Sequence, residues 1–376
     1  VRFLEAERRT LAQLLPGLDE ALTAVPRSGL ESPGGSGLSL FKEAGGPGLL
    51  VPAEYKGIGA SAVQAVQVQR AVATRSPSLA VATTMHHFSV AALWQAYLVG
   101  NGLEWLLLEA VATQRLLMAS GFAEGRTGQS ILASSITARQ EGTDLILNGS
   151  KKPCSLSASM DLLTASLLID TADGPQLAVA VVPAATEGVS IHPFWSSFVL
   201  AGAESDEVRL TDVRVPDSLI VRTELGADRT LDRIQTVGFL WFELMMAASY
   251  LGMASILAEQ VLVRERGSAE ERARLIVDLE SAMGGVLGAA AAFDATGPDD
   301  EPDLARALIC RFAAQEAIDR VVPRCLEALG GMSYVGDSEN AYVAACCAAL
   351  KFHPPSRAFS AAALCDAYGG GPLVLG

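Results

Sequence analysis

Ser120-Gly-Phe-Ala-Glu-Gly-Arg-Thr-Gly-Gln-Ser130, an alternating run, and then Leu147-Asn-Gly-Ser-Lys-Lys-Pro-Cys-Ser155 form the stretch that decides how this chain is read. Before it, apolar residues recur at helical spacing, as at Leu4, Leu11, Leu14, Leu15 and Leu18. Inside it the period drops toward two, and glycines punctuate the pattern. After about Leu225 the helical period returns. A β segment is therefore expected between two helical ones.

The spacing predicts strands at Ile131–Ala138, Asp144–Asn148, Leu162–Ile169, Gln176–Val182, Val189–His192 and Glu207–Val215. Gly142, Asn148-Gly149, Asp173-Gly174 and Glu187-Gly188 read as turns between them. Short strands in this order suit a small antiparallel barrel or sandwich. Upstream helices are expected at Ser61–Arg75, Leu79 to about Leu98, and Leu103 to about Thr113. A Gly/Ser/Pro-rich loop covers Ser32–Ser39. Downstream, long helices are expected at Thr230–Arg266, Glu270–Phe293, Asp303–Leu329 and Ser338–Leu350, and a last one at Ser356–Ala367. Such helices with short loops suit a four-helix bundle. The expected division is 1–115, 116–222 and 223–376.

Half of the 376 residues are apolar and only 19% are charged. Helices that are apolar on more than one face need neighbours, so a homodimer or homotetramer is expected. A net charge of -14 argues against a nucleic-acid groove or an anionic membrane surface. Phe239–Val263 is strongly apolar, but Glu243 and Glu259 leave between them a run shorter than the roughly 20 residues that span a bilayer. The six cysteines include no Cys-x-x-Cys and read as reduced thiols of a cytoplasmic protein. The charged, helical start shows no signal peptide.

Leu147-Asn148-Gly149 with Lys151, Asp212-Val-Arg-Val-Pro216, Ala328-Leu-Gly-Gly331 and the connector Gly48–Gly59 stand in an order and at spacings that resemble the acyl-CoA dehydrogenase superfamily. The resemblance covers essentially the whole chain. It implies an α+β fold: an N-terminal helical domain, a middle antiparallel β-barrel or sandwich, and a C-terminal four-helix bundle. It also implies FAD between the β domain and the bundle, with reduced FMN or FAD as the alternative. The residues it assigns to the flavin are Phe122, Ala123, Glu124 and Gly128; Pro153, Cys154 and Ser155; and Leu329, Gly330 and Gly331. Several depart from the family pattern. Ala123-Glu124-Gly125 replaces Thr-Glu-Pro, Pro153 replaces an aromatic plate, and Glu327 replaces a Gln. The Arg-x-x-Phe-Gly segment has no counterpart.

The catalytic base departs furthest. Counting from Leu329-Gly330-Gly331 places Pro354 where the family carries its Glu, and the second known position for that Glu falls on Phe242. Two substitutes remain. Glu243 reads either as a desolvated general base or as a structural ion pair with Arg233 or Arg320. His353 reads either as a proton acceptor or stabiliser of oxygen chemistry, or as a helix cap ahead of Pro354-Pro355. His87 is a candidate toward substrate, or else a packed histidine. Its neighbour His86 points about 100° away on a helix, which argues against a shared metal. Arg357 reads as a phosphate or carboxylate contact, or as a pair with Asp366 or Glu339.

Three functions follow from the resemblance. The first is an FAD-dependent oxidoreductase acting on an acyl thioester, on CoA or an acyl-carrier protein, with a displaced base. The second is a flavin-dependent monooxygenase of the same fold. The third is a flavin-poor, non-catalytic paralogue.

Overall fold

The computed structural model describes residues 2–100, 102–125, 134–171, 174–222, 232–297, 300–336 and 338–375. Seven helices come first: α1 (Glu5–Leu14), α2 (Leu18–Thr23), α3 (Arg27–Glu31), α4 (Gly37–Glu43), α5 (Ala62–Ala73), α6 (Pro77–Gly100) and α7 (Glu104–Gln114). Ser61 opens α5 with a capping box: its hydroxyl takes the Gln64 amide and the Gln64 side chain takes the Ser61 amide.

Eight strands follow: β1 (Met118–Gly121), β2 (Thr137–Glu141), β3 (Asp144–Cys154), β4 (Leu162–Thr171), β5 (Gly174–Pro183), β6 (Val189–His192), β7 (Asp206–Pro216) and β8 (Ile220–Arg222). They form two four-stranded sheets, ordered β1-β4-β5-β8 and β2-β3-β7-β6. The sheets face each other through β1 and β3, β2 and β4, and β5 and β7, which makes a sandwich. All pairings are antiparallel except β1 with β4.

Two expectations change here. Of the predicted strand Ile131–Ala138, β2 keeps only the end from Thr137; residues 134–136 are not strand, and 131–133 lie outside the described residues. Asn148-Gly149 is not a turn but a bulge inside β3, where the register against β7 shifts between Leu147 and Gly149. The Asn148 amide and carbonyl groups bond the Asp212 side chain and backbone, and Asp212 takes a left-handed φ of 52°. Gly149 has φ 148° and a Cβ there would stand 3.1 Å from Ile136. Such a bulge re-aims the residues beyond it, and β3 runs on through Lys151 to Cys154.

The remaining helices are α8 (Arg233–Val263), α9 (Ala269–Thr296), α10 (Asp300–Leu329), α11 (Gly331–Gly336), α12 (Ser338–Ala348) and α13 (Arg357–Tyr368). Helix α8 is packed by α5, α6, α9, α10 and α12. Helices α8 and α9 are both long and apolar enough to cross a membrane by length and composition. The most apolar stretch of α8 lies wholly inside the protein, so α8 is the core helix that its all-round apolar surface demands. The chain thus has the α+β, acyl-CoA dehydrogenase-like architecture.

Candidate functional site

A line of aromatic rings connects the edge of the sandwich to the bundle. Phe122, just past β1, meets Phe88 of α6 with ring centroids 5.9 Å apart. Phe88 meets Phe242 of α8 at 5.7 Å. Phe242 meets Phe239 at 6.5 Å and His353 at 6.3 Å. The contacts are tilted or edge-to-face, as ring quadrupoles favour. They form an apolar wall with one imidazole at its far end.

His353 follows the short turn Ala349–Phe352 and is half-buried. Its Nε2 lies 2.7 Å from the hydroxyl oxygen of Tyr250, a fully buried residue of α8. Arg311 of α10 donates to the carbonyls of Leu350 (3.4 Å), Pro354 (3.2 Å) and His353. Burial, with the Arg311 charge beside it, pulls the imidazole down to about 3, so it is neutral at physiological pH.

Arg311 also answers the question of Glu243. Both carboxylate oxygens of Glu243 lie 3.0 Å from Arg311 Nη1, and both residues are fully buried. The partner is Arg311, not Arg233 or Arg320 as expected. Burial pushes the Glu243 carboxyl up to about 7, against the pull of Arg311. Both carboxylate oxygens are thus spent on one buried cation.

The sandwich contributes further polar groups. Glu124 bridges to Lys152 in the backbone and accepts from Lys151 Nζ (2.7 Å) and from the Ser135 amide (2.6 Å). Burial alone would raise its carboxyl, but these bonds outweigh burial and hold it at about 2. Lys151 Nζ also reaches the Ser134 and Ser166 hydroxyls at 3.0 Å. The Glu124 side chain therefore ties β1's exit to β3, and the Ala123 carbonyl adds to the tie by accepting the Lys152 amide at 2.8 Å. Pro153 is half-buried and Cys154 is fully buried, its thiol pushed up to about 12 by burial. Ser155 lies beyond Cys154, and its Oγ stands 2.9 Å from Ser205 Oγ, both nearly buried. Two hydroxyls sharing one hydrogen bond keep one hydrogen free to donate. The next residue back, Glu204, holds a left-handed φ of 54°, and its buried Oε2 has no partner among the described residues.

The two adjacent histidines of α6 differ. His86 Nδ1 accepts the Met118 amide at 3.0 Å while Nε2 pairs with the Pro47 carbonyl at 2.9 Å. It therefore joins α6 to β1 and to the connector. His87 is fully buried against Phe41, 5.7 Å between ring centroids, and both its nitrogens lack partners among the described residues. It stands apart from the ring line. Burial holds His86 down at about 4, against 6.5 in an unfolded chain. The imidazole is neutral in the fold, and the unfolded chain takes its proton first. The contribution is complete above pH 6.5 and drains away as pH falls toward 4. Urea melts should show about 2 kcal/mol lost between pH 7 and pH 5 from this group, and His86→Gln should flatten that slope.

Leu329 is buried, but Gly330 and Gly331 open onto space at the end of α10, with nothing within 4 Å of a Cβ at either. Arg357 is exposed and pairs with Glu316 at 2.6 Å, not with Asp366 or Glu339, far from any buried partner. Gly128 lies outside the described residues. The structure therefore brings His353 and Glu243 together through Arg311. It places Ser155 beside Ser205 and Phe122 in the ring line, and it leaves Arg357 and His87 apart.

Arg311, Tyr250, Ser205 and Phe88 did not emerge from the sequence. A signal existed for one of them. Arg311 sits alone in the apolar run Leu308-Ile-Cys-Arg-Phe-Ala-Ala314, just as Glu243 sits alone in the uncharged stretch of α8 around it. Within α8 the comparable uncharged surroundings of Glu243 run from Val237 to Ala258, between Arg233 and Glu259, and two such isolated opposite charges in core helices demand each other.

The chemistry of these groups suits a flavin at one end. The free hydroxyl hydrogen at Ser155–Ser205 suits a ring heteroatom. The rings of Phe122, Phe88 and Phe242 offer an apolar wall. The adenine end is different, because Gly330–Gly331 has no covering element among the described residues.

No protein-family profile matches the chain. It is 45% identical over 379 residues, covering all of both chains, to isobutylamine N-hydroxylase of Streptomyces viridifaciens. It is 25% identical over 310 residues, 78% of each chain, to acyl-CoA dehydrogenase FadE12 of Mycobacterium tuberculosis. Among solved structures, KijD3 in complex with FMN and a dTDP-linked amino-keto sugar superposes with a TM-score of 0.80. That match covers 98% of this chain and 95% of that one at 19% identity, a likeness of fold.

Proposed function

The chain belongs to the acyl-CoA dehydrogenase-like superfamily, and within it we propose that the protein is a flavin-dependent monooxygenase that N-hydroxylates a small primary amine. The full-length similarity to isobutylamine N-hydroxylase supports the reading. The structural observation that carries it is the Glu243–Arg311 pair. Proline and phenylalanine occupy both places for a dehydrogenase base, and the one carboxylate beside them is neutralised in place. An amine nitrogen brings its own lone pair and needs no such base.

The bound group would be reduced FMN or FAD, delivered by a separate reductase. It would supply two electrons to O2, so that one oxygen atom joins the nitrogen and the other leaves as water. Ser155 and Ser205 would hold the ring edge, and the Phe122–Gly125 backbone would take its carbonyl side. Phe88, Phe122 and Phe242 would exclude water and receive the alkyl group. His353, neutral and half-buried, would offer a hydrogen bond to oxygen at the reacting centre. Open Gly330–Gly331 lies beside the exposed apolar residues Met332, Tyr334 and Val335. A second copy covering that face would complete an adenine site, so a homo-oligomer belongs to the same proposal.

The acyl-thioester dehydrogenase reading, placed first by the sequence, becomes the second. The protein should convert isobutylamine to its hydroxylamine when given FMN, a flavin reductase, NADH and air. A dehydrogenase would instead have its oxidised flavin bleached by an acyl-CoA without oxygen. Bleaching without hydroxylamine would reverse the order of the two readings.

A further inference from the structure

Tyr250 is fully buried, and among the described residues its hydroxyl has one hydrogen-bond partner, His353 Nε2. A phenolic O–H must donate somewhere when water is excluded, because an orphaned donor costs about 1–3 kcal/mol. If Nε2 carried the proton, it would donate to the phenol oxygen and strand the phenol hydrogen. The satisfied arrangement has Tyr250 donating and Nε2 accepting. A neutral imidazole has one N–H, so that N–H then sits on Nδ1.

We propose that Tyr250 is a positioning residue that locks His353 in the Nδ1–H tautomer, so that the imidazole presents a hydrogen-bond donor toward the reacting centre. The inference rests on the reading of His353 as a site residue. Nδ1 lies on the accessible side of the half-buried ring, whereas unpartnered buried nitrogens occur at His87. Arg311 fixes the backbone at three carbonyls, so the ring can turn only about its own side-chain bonds. Phe242 packs across it edge-to-face at 6.3 Å. Tyr250 therefore decides which nitrogen carries hydrogen, and it also restricts the ring flip. It is not a proton relay. Its hydroxyl is pushed well above the usual tyrosine range, by burial foremost, so the phenol keeps its hydrogen throughout.

The chain has four histidines, so long-range proton–nitrogen NMR of the 15N-labelled protein at neutral pH can resolve each ring. His353→Gln identifies the His353 signals. The expected pattern is a protonated Nδ1 and an unprotonated Nε2 in the wild-type protein, with no flavin or substrate present. In Tyr250→Phe, which keeps the ring and its packing, the pattern should move toward the Nε2–H form or a mixture. With reductase, FMN and isobutylamine, Tyr250→Phe should lower hydroxylamine kcat about tenfold, the worth of one hydrogen bond. Its KM for the amine should stay unchanged, and more of the NADH consumed should appear as hydrogen peroxide. A wild-type Nε2–H pattern overturns the lock whether or not any variant folds. So does an unchanged His353 pattern in Tyr250→Phe. An Nδ1–H pattern in a protein that forms no hydroxylamine leaves the lock standing and removes only the proposed function.

Discussion

Replacing Arg311 by Met should destabilise the protein by about 3–5 kcal/mol, the usual cost of stranding one half of a buried ion pair. Arg311 and Glu243 are 1% and 0% exposed as side chains, so solvent cannot take over for the lost guanidinium. The same change releases the carbonyls of Leu350, His353 and Pro354. The size of the effect should depend on pH. Glu243 already sits near 7, and without Arg311 it would rise further and take up a proton rather than stay charged. An unfolded glutamate ionises near 4.5. The folded variant then holds a proton that the unfolded chain has released. Its stability should fall by about 1.4 kcal/mol per unit as pH rises through that range. Denaturant melts at pH 6 and pH 9 read both numbers. Adding Glu243→Leu should recover most of the loss, because two apolar groups leave nothing unpaired. A single variant as stable as wild type at pH 9 would mean that the pair contributes nothing to the fold.

The period change near Leu116 and again near Leu225 was enough to place helices before and after a sandwich. Apolar spacing is a property of each segment and survives without knowledge of its neighbours. Asn148-Gly149 shows where that reasoning stops. The dipeptide is a turn signal in isolation, and only the Asp212 partner from β7 makes it a bulge. The site was legible to the same degree. Glu243 and His353 stood out because each is chemically odd in its surroundings. Their controlling partners, Arg311 and Tyr250, lie 68 and 103 residues away in sequence, and pairing over such distances is a product of tertiary packing. Tyr250 carries no local mark, since an aromatic residue in an apolar helix is what a core helix needs. Ser205 is equally unmarked, and becomes notable only 2.9 Å from Ser155.

Under the proposed amine hydroxylation, the groups around the ring line also restrict which form of the amine can react. Arg311 holds positive charge against the His353 turn, and Glu243 and Glu124 are each paired with a cation. Neither carboxylate is free to hold an ammonium ion, whose nitrogen has no lone pair to offer. The free base suffers neither disadvantage.

If the protein hydroxylates an amine as proposed, His353→Gln should reduce hydroxylamine formation by about a hundredfold, the low end for a positioned proton donor, while leaving flavin-dependent NADH consumption largely intact. The expected signature is uncoupling: reducing equivalents still spent, oxygen still consumed, and hydrogen peroxide in place of hydroxylamine. Glutamine can hydrogen-bond but cannot hold the ring's fixed donor geometry between Tyr250 and Phe242. Stability should change little compared with Arg311→Met, because the Arg311 contacts run to backbone carbonyls that glutamine retains. His87→Gln provides the contrast. His87 lies against Phe41, off the ring line, so its replacement should alter the melt more than the ratio of hydroxylamine to peroxide. Measuring that ratio for both variants separates chemistry from packing. If His353→Gln kept the wild-type ratio while His87→Gln lost it, the donor would have to be sought on α6 and not beside α8.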